Sequence, residues 1–156
     1  QHGRVARERI HAWFASAEMR SVFEWASGTG AAAFAKLKHD NEVEFPDFAK
    51  EIHGIAEAAG VPLDHVWCVN MLMELEMLMA NTGNRSKHCS DEYVVSHKGY
   101  DAGFAHGHND DWSPVAKRYW YLLSVKALPG ASGVYDCAGV TYPGTLVGWS
   151  PTWNAH

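Results

Sequence analysis

No stretch of the chain approaches the roughly 18 consecutive apolar residues of a membrane helix, so the sequence predicts no membrane span. Basic residues are too few for a broad nucleic-acid surface: 13 Lys+Arg stand against 18 Asp+Glu, a formal charge of −5. Cysteine is sparse as well. Cys68, Cys89 and Cys137 are an odd set of three in a chain too long to need stapling, which argues against a disulfide framework and for a reducing, cytoplasmic compartment. Nothing like a charged-then-apolar signal peptide precedes Gln1, and both ends read as those of a piece of a longer chain. Internal repeats and low-complexity tracts are also missing.

What remains is an ordinary globular composition, 47% hydrophobic and 20% charged over 156 residues, enough for one domain with a real core. Ten histidines make the charge balance sensitive to pH near 6.5.

Apolar residues follow a helical period up to about residue 80. Val5, Ile10, Trp13, Phe14, Ala17 and Val22 predict a helix with one buried stripe, broken at Gly28 and Gly30. Pro46 opens a further helix whose predicted buried stripe is Phe48, Ile52, Ile55, Ala56 and Ala59, closed by Gly60. A third helix begins near Pro62 and runs through Val66, Trp67, Val69, Leu72, Leu75, Leu78 and Met79; apolar on most sides, it reads as central and buried. Residues 81–87 are polar and read as a linker. Beyond them the period shortens. Glu92–His97 and Gly103–His108 predict strands around a Lys98–Ala102 turn. Tyr119–Ala127 and Val134–Thr141 flank a Pro129-Gly130 hairpin turn, and Tyr142-Pro143-Gly144 marks another turn before Thr145–Trp149. Helices first and antiparallel strands afterwards predict an α+β fold.

Two features carry candidate chemistry. Cys89 falls where linker meets strand, beside Lys87 and His88, cations that would lower its pKa; the plain alternative is a small buried hydrophobe. The string His106-Gly107-His108-Asn109-Asp110-Asp111-Trp112 is the densest polar cluster. Alternation puts His106 and His108 on one strand face, where they could hold a metal with Asp111 or position a nucleophile, the plain alternative being a polar strand end. No Cys-x-x-Cys or His-x-x-x-His accompanies them. Tyr119, Trp120 and Tyr121 fit either a β-core or a wall for an aromatic ligand.

The segment Glu51-Ile52-His53-Gly54-Ile55-Ala56-Glu57-Ala58-Ala59-Gly60-Val61, then Asn70 and Glu74, Cys89-Ser90, Gly107-His108-Asn109-Asp110-Asp111-Trp112 and Thr141-Tyr142-Pro143-Gly144 lie in an order that resembles one family. It is the acyl-coenzyme A:6-aminopenicillanic-acid acyltransferase family of N-terminal-nucleophile (Ntn) enzymes, and within it the branch that hydrolyses β-alanyl amines. The resemblance implies an αββα Ntn fold, incomplete in this chain, with residues 1–88 as a helical pro-segment and 89–156 as the start of the catalytic β segment. It implies self-cleavage between His88 and Cys89, after which the Cys89 sulfur is the nucleophile and its α-amine the base. Catalytic residues would be Cys89, His108 and Asp111, with Asp111 orienting the α-amine; Asn109 and Trp112 would bind a small-molecule amide substrate. His108 stands where related amidases carry arginine. The resemblance implies no cofactor and no metal, and a second, C-terminal segment as partner, in a homo- or heterodimer, bearing the oxyanion-hole asparagine. Two other readings stand beside it: a histidine-rich metal-binding module using His106, His108 and Asp111, and a non-catalytic remnant that binds a partner.

Overall fold

Helical periodicity becomes helix throughout the first half of the chain. In a computed structural model, residues 1–80, 89–98, 103–111, 113–127 and 136–154 are described. Among them α1 (His2–Val5), α2 (Arg7–Phe14), α3 (Ala17–Ser27), α4 (Ala31–Glu44), α5 (Pro46–Ala59), α6 (Leu63–Asn70) and α7 (Leu72–Ala80) precede two antiparallel sheets. The first pairs β1 (Ser90–Val95) with β2 (Phe104–Asn109). The second has the order β3-β4-β5, from β3 (Tyr121–Val125), β4 (Cys137–Thr141) and β5 (Thr152–Asn154). This is a mixed α+β fold. None of the described helices is long and apolar enough to cross a membrane. The linker 81–87 and the Pro129-Gly130 turn lie outside the described residues.

The helix breaks have local causes. Ser16 is extended and its hydroxyl accepts the Met19 N–H at 3.2 Å, capping α3 and splitting the expected first helix. Val5, in the separate α1, and Ala17, at the start of α3, were expected in its buried stripe and are exposed. Gly60 takes the left-handed conformation (φ 69°) that closes α5, and its N–H reaches Ala56 O at 2.9 Å. The single helix expected from Pro62 to Met79 bends out of helical geometry at Met71, giving α6 and α7. Helix α4 was not anticipated: its sequence, AAAFAKLKHDNEVE, favours helix but buries only Phe34, so no apolar stripe announces it.

The core joins Ile10, Trp13 and Phe14 of α2, Met19 and Val22 of α3, Ile52 and Ile55 of α5, Val66 and Trp67 of α6, and Leu72 and Leu75 of α7. Burying side chains of this size contributes about 1.5–3 kcal/mol each. Phe48, expected on the buried stripe of α5, is 56% exposed, and Leu78 of α7 is 48% exposed; Ala49 takes the inward place on α5. Ala116 and Tyr142 of the second half close the core. Thr145–Trp149 forms turns, and the next strand to pair is β5. The observed β1 and β2 each begin or end within two residues of the expected strands.

At Gly3 a side chain has no room: a Cβ there would overlap the Ile55 carbonyl of α5. Gly3→Ala is expected to lower the unfolding free energy by about 1–3 kcal/mol, measured by urea denaturation. His2 is half-buried, its Nε2 2.5 Å from the Tyr121 hydroxyl and its Nδ1 without a partner among the described residues. Burial pulls its pKa down to about 4. Because the unfolded chain binds the proton near pH 6.5 and the folded chain only near 4, stability is complete above 6.5. It should fall as pH drops through that window, by up to about 3 kcal/mol from this group. His2→Gln should flatten the decline between urea midpoints at pH 7 and pH 5.

Candidate functional site

The β1–β2 hairpin carries the candidate residues, and its register decides which of them meet. Asp91 pairs with His108 and Tyr93 with His106, so these four side chains share one face of the ladder. Cys89, just before β1, and Asp110, just after β2, continue that alternation at the open end.

Cys89 is exposed, and its Sγ lies 3.8 Å from Asp110 Oδ1, to which it donates. The other oxygen of that carboxylate accepts the Tyr142 hydroxyl at 2.8 Å and the Ser150 hydroxyl at 3.3 Å. Burial, then the Asp110 hydrogen bond and charge, raise the Tyr142 pKa, so it remains a donor. The thiol is raised too, by desolvation first and by the Asp110 charge second, against a backbone hydrogen bond from Asp111. The described surroundings thus hold Cys89 as a thiol, opposite in direction to the effect expected from Lys87 and His88, which lie outside the described residues. Of the other cysteines, Cys68 is buried in α6 with its pKa pushed up to about 12, and Cys137 is half-buried on β4.

Tyr142 is itself held from the helical side. Its ring packs on Trp13 and Trp149, at centroid distances of 6.1 and 5.7 Å. Asn70, at the end of α6, donates to Val66 O and Gly144 O and accepts the Leu146 N–H, each at 2.8 Å. That side chain fastens the turn bearing Tyr142 to the helices.

The remaining expected site residues fall elsewhere. His108 Nδ1 is 2.9 Å from Asp91 Oδ1, and its Nε2 is buried without a partner among the described residues. His106 Nε2 reaches the same Asp91 oxygen at 2.6 Å. Asp111 Oδ1 accepts from Asn109 Nδ2 at 2.9 Å, so its carboxylate is engaged by its own strand end. The carboxylate between the two histidines is Asp91, not Asp111. His88 and Trp112 lie outside the described residues. Asp91, Asp110 as a thiol partner, Tyr142 as its anchor and Ser150 are site residues that the sequence pattern does not mark. Alternation from Cys89 could have flagged Asp91; nothing local signals Tyr142 or Ser150, which arrive from 32 and 40 residues beyond Asp110.

A cavity of about 380 Å³ opens between α4, α5, α6 and the 146–149 turn, lined by Phe45, Phe48, Trp67, Asn70, Leu146 and Trp149 among others. None of its lining residues belongs to the hairpin.

Replacing Asp110 by Asn removes the charge that opposes thiolate formation. Asp110→Asn should therefore make Cys89 react faster with iodoacetamide near neutral pH, read by peptide mapping, while buried Cys68 stays unmodified. No family model matches the chain and no curated protein matches it, so the chemistry of this site has to follow from its geometry.

Proposed function

We propose that the chain is part of a cysteine Ntn amidohydrolase or acyltransferase that matures by cutting itself before Cys89. The observation that carries this reading is the exposed Cys89 thiol at the start of a strand, 3.8 Å from a carboxylate that Tyr142 and Ser150 hold in place. A nucleophile of this kind needs three things: access for substrate, a base, and a fixed partner for the charge that appears on that base. Exposure supplies the first. Hydrolysis of the His88–Cys89 bond would supply the second, because a freed α-amine has a pKa of about 7.7–8.0 and can take the thiol proton at working pH. Asp110, beside the sulfur, would supply the third for an ammonium freed next to it, and the family resemblance would give Asp111 the same task.

In this mechanism the Cys89 amine removes the thiol proton and the thiolate attacks the amide carbonyl. The tetrahedral adduct collapses as the ammonium returns the proton to the departing amine, leaving a thioester on Cys89. Water then attacks the thioester in hydrolysis, or a second amine in acyl transfer, with the same α-amine taking the proton. Asp110 has a further effect: beside an uncleaved chain it raises the thiol pKa, whereas beside a free ammonium it stabilises the cation. Cleavage would so turn a suppressing neighbour into a supporting one. The αββα Ntn architecture and a small β-alanyl amide as substrate belong to this proposal; the acidic balance and the exposed Trp120 suit a cationic or aromatic amine.

The test is mass spectrometry of freshly expressed full-length protein. The expected result is a cut between His88 and Cys89 that Cys89→Ala abolishes, together with turnover of a β-alanyl amide by the cleaved protein. Cleavage that persists in Cys89→Ala, or a full-length protein that stays intact and turns over no amide, overturns the reading.

A further inference from the structure

We propose that the face of the β1–β2 hairpin bearing Asp91, His106 and His108 binds a single divalent first-row transition-metal ion, with Zn²⁺ as the reference case. The inference does not rest on the cysteine reading, in which none of these three groups needs a metal.

Geometry carries it. One ligand atom from each of the three residues lies within 4.8 Å of the other two. Both imidazoles aim at the same carboxylate oxygen, His106 through Nε2 at 2.6 Å and His108 through Nδ1 at 2.9 Å. Around a tetrahedral ion with bonds of about 2.0–2.2 Å, neighbouring ligand atoms stand about 3.3 Å apart. Each histidine–Asp91 contact therefore has to lengthen by less than about 1 Å for an ion to take the place of the two shared protons, with the two imidazole nitrogens drawing in to the same spacing.

The ligands are also placed in advance. Direct cross-strand pairing sets Asp91 opposite His108, and His106 lies on the neighbouring rung of the same face. The His106 ring stacks on Tyr93, centroids 4.2 Å apart and planes within 5°, which fixes its direction. Two strands hydrogen-bonded along their length move less than a loop, so little ordering is lost on binding.

Donor type selects the ion. Two imidazole nitrogens and one carboxylate suit Zn²⁺, Co²⁺, Ni²⁺ or Fe²⁺ and disfavour Mg²⁺ and Ca²⁺, which take oxygen. Three protein ligands on an accessible face leave a coordination position for water or an exogenous donor. Side-chain exposures of 42%, 30% and 18% for Asp91, His106 and His108 keep that position reachable from solvent. The Cys89 thiol occupies the same face one rung further on and is not part of the set.

The experiment loads the full chain with Zn²⁺, removes excess by gel filtration, and measures retained metal and the dissociation constant by titration. One equivalent is expected, with affinity weakened at least about tenfold in Asp91→Asn and in His106→Gln and unchanged in Cys89→Ser. Co²⁺ substituted at the site should give visible d–d absorption without a thiolate charge-transfer band. These hairpin side chains stand outside the core, and far-UV circular dichroism confirms that each variant is folded. Failure to retain an equivalent, full affinity in both ligand variants, or loss of binding in Cys89→Ser would each overturn the proposal.

Discussion

The Asp110 carboxylate sits between two very different parts of the molecule, with the exposed thiol of Cys89 on one oxygen and the hydroxyls of Tyr142 and Ser150 on the other. Tyr142 stands on Trp13 and so on the helical core, while Asn70 ties its turn to α6. A hairpin whose strands are otherwise exposed is thereby referenced to a packed interior. An anion in this position needs donors, and Tyr142 and Ser150 provide them; the thiol adds a weak third. The same charge makes thiolate formation next to it unfavourable, so the neighbour that positions the sulfur also restrains it.

One face of the hairpin concentrates the polar chemistry. Cys89, Asp91 and Tyr93 alternate along one strand and Asp110, His108 and His106 along the other, so a thiol–carboxylate pair and a carboxylate–bis-imidazole set occupy successive rungs. The carboxyl of Asp91 is held below its ordinary range, first by the hydrogen bond from His108 and then by that from His106. His108 meets Asp91 through Nδ1 at 2.9 Å. Near the sulfur stand the Asp110 carboxylate and the Asp111 backbone.

Much of this was legible in residue order because it depends on local spacing. Pro46 and Gly60 bound α5 as expected, Gly28 and Gly30 separate α3 from α4, and strands stand on either side of residues 98–102 and of Pro129-Gly130. The structure departs from local pattern where a side chain's direction or a helix break is set by packing from elsewhere in the chain. Phe48 and Ala49 are adjacent on α5, and which of them turns inward depends on where α4 lies. Ser16 offers a cap that competes with continuing the helix, and Met71 leaves helical geometry with no proline or glycine to announce it.

The residue order by itself determined the helical first half, the antiparallel second half, and Cys89 as a cysteine outside the apolar stripes, since periods of 3.6 and 2 and the turn residues act over a few positions. Only the tertiary structure decided that Asp91 rather than Asp111 joins the histidines and that Asp110 faces the sulfur. A one-residue shift of register exchanges the two faces of a strand, and no local pattern specifies that register. Nor does any local pattern bring Tyr142 and Ser150 to Asp110, a contact that exists because the core packs their turns against α2 and α6.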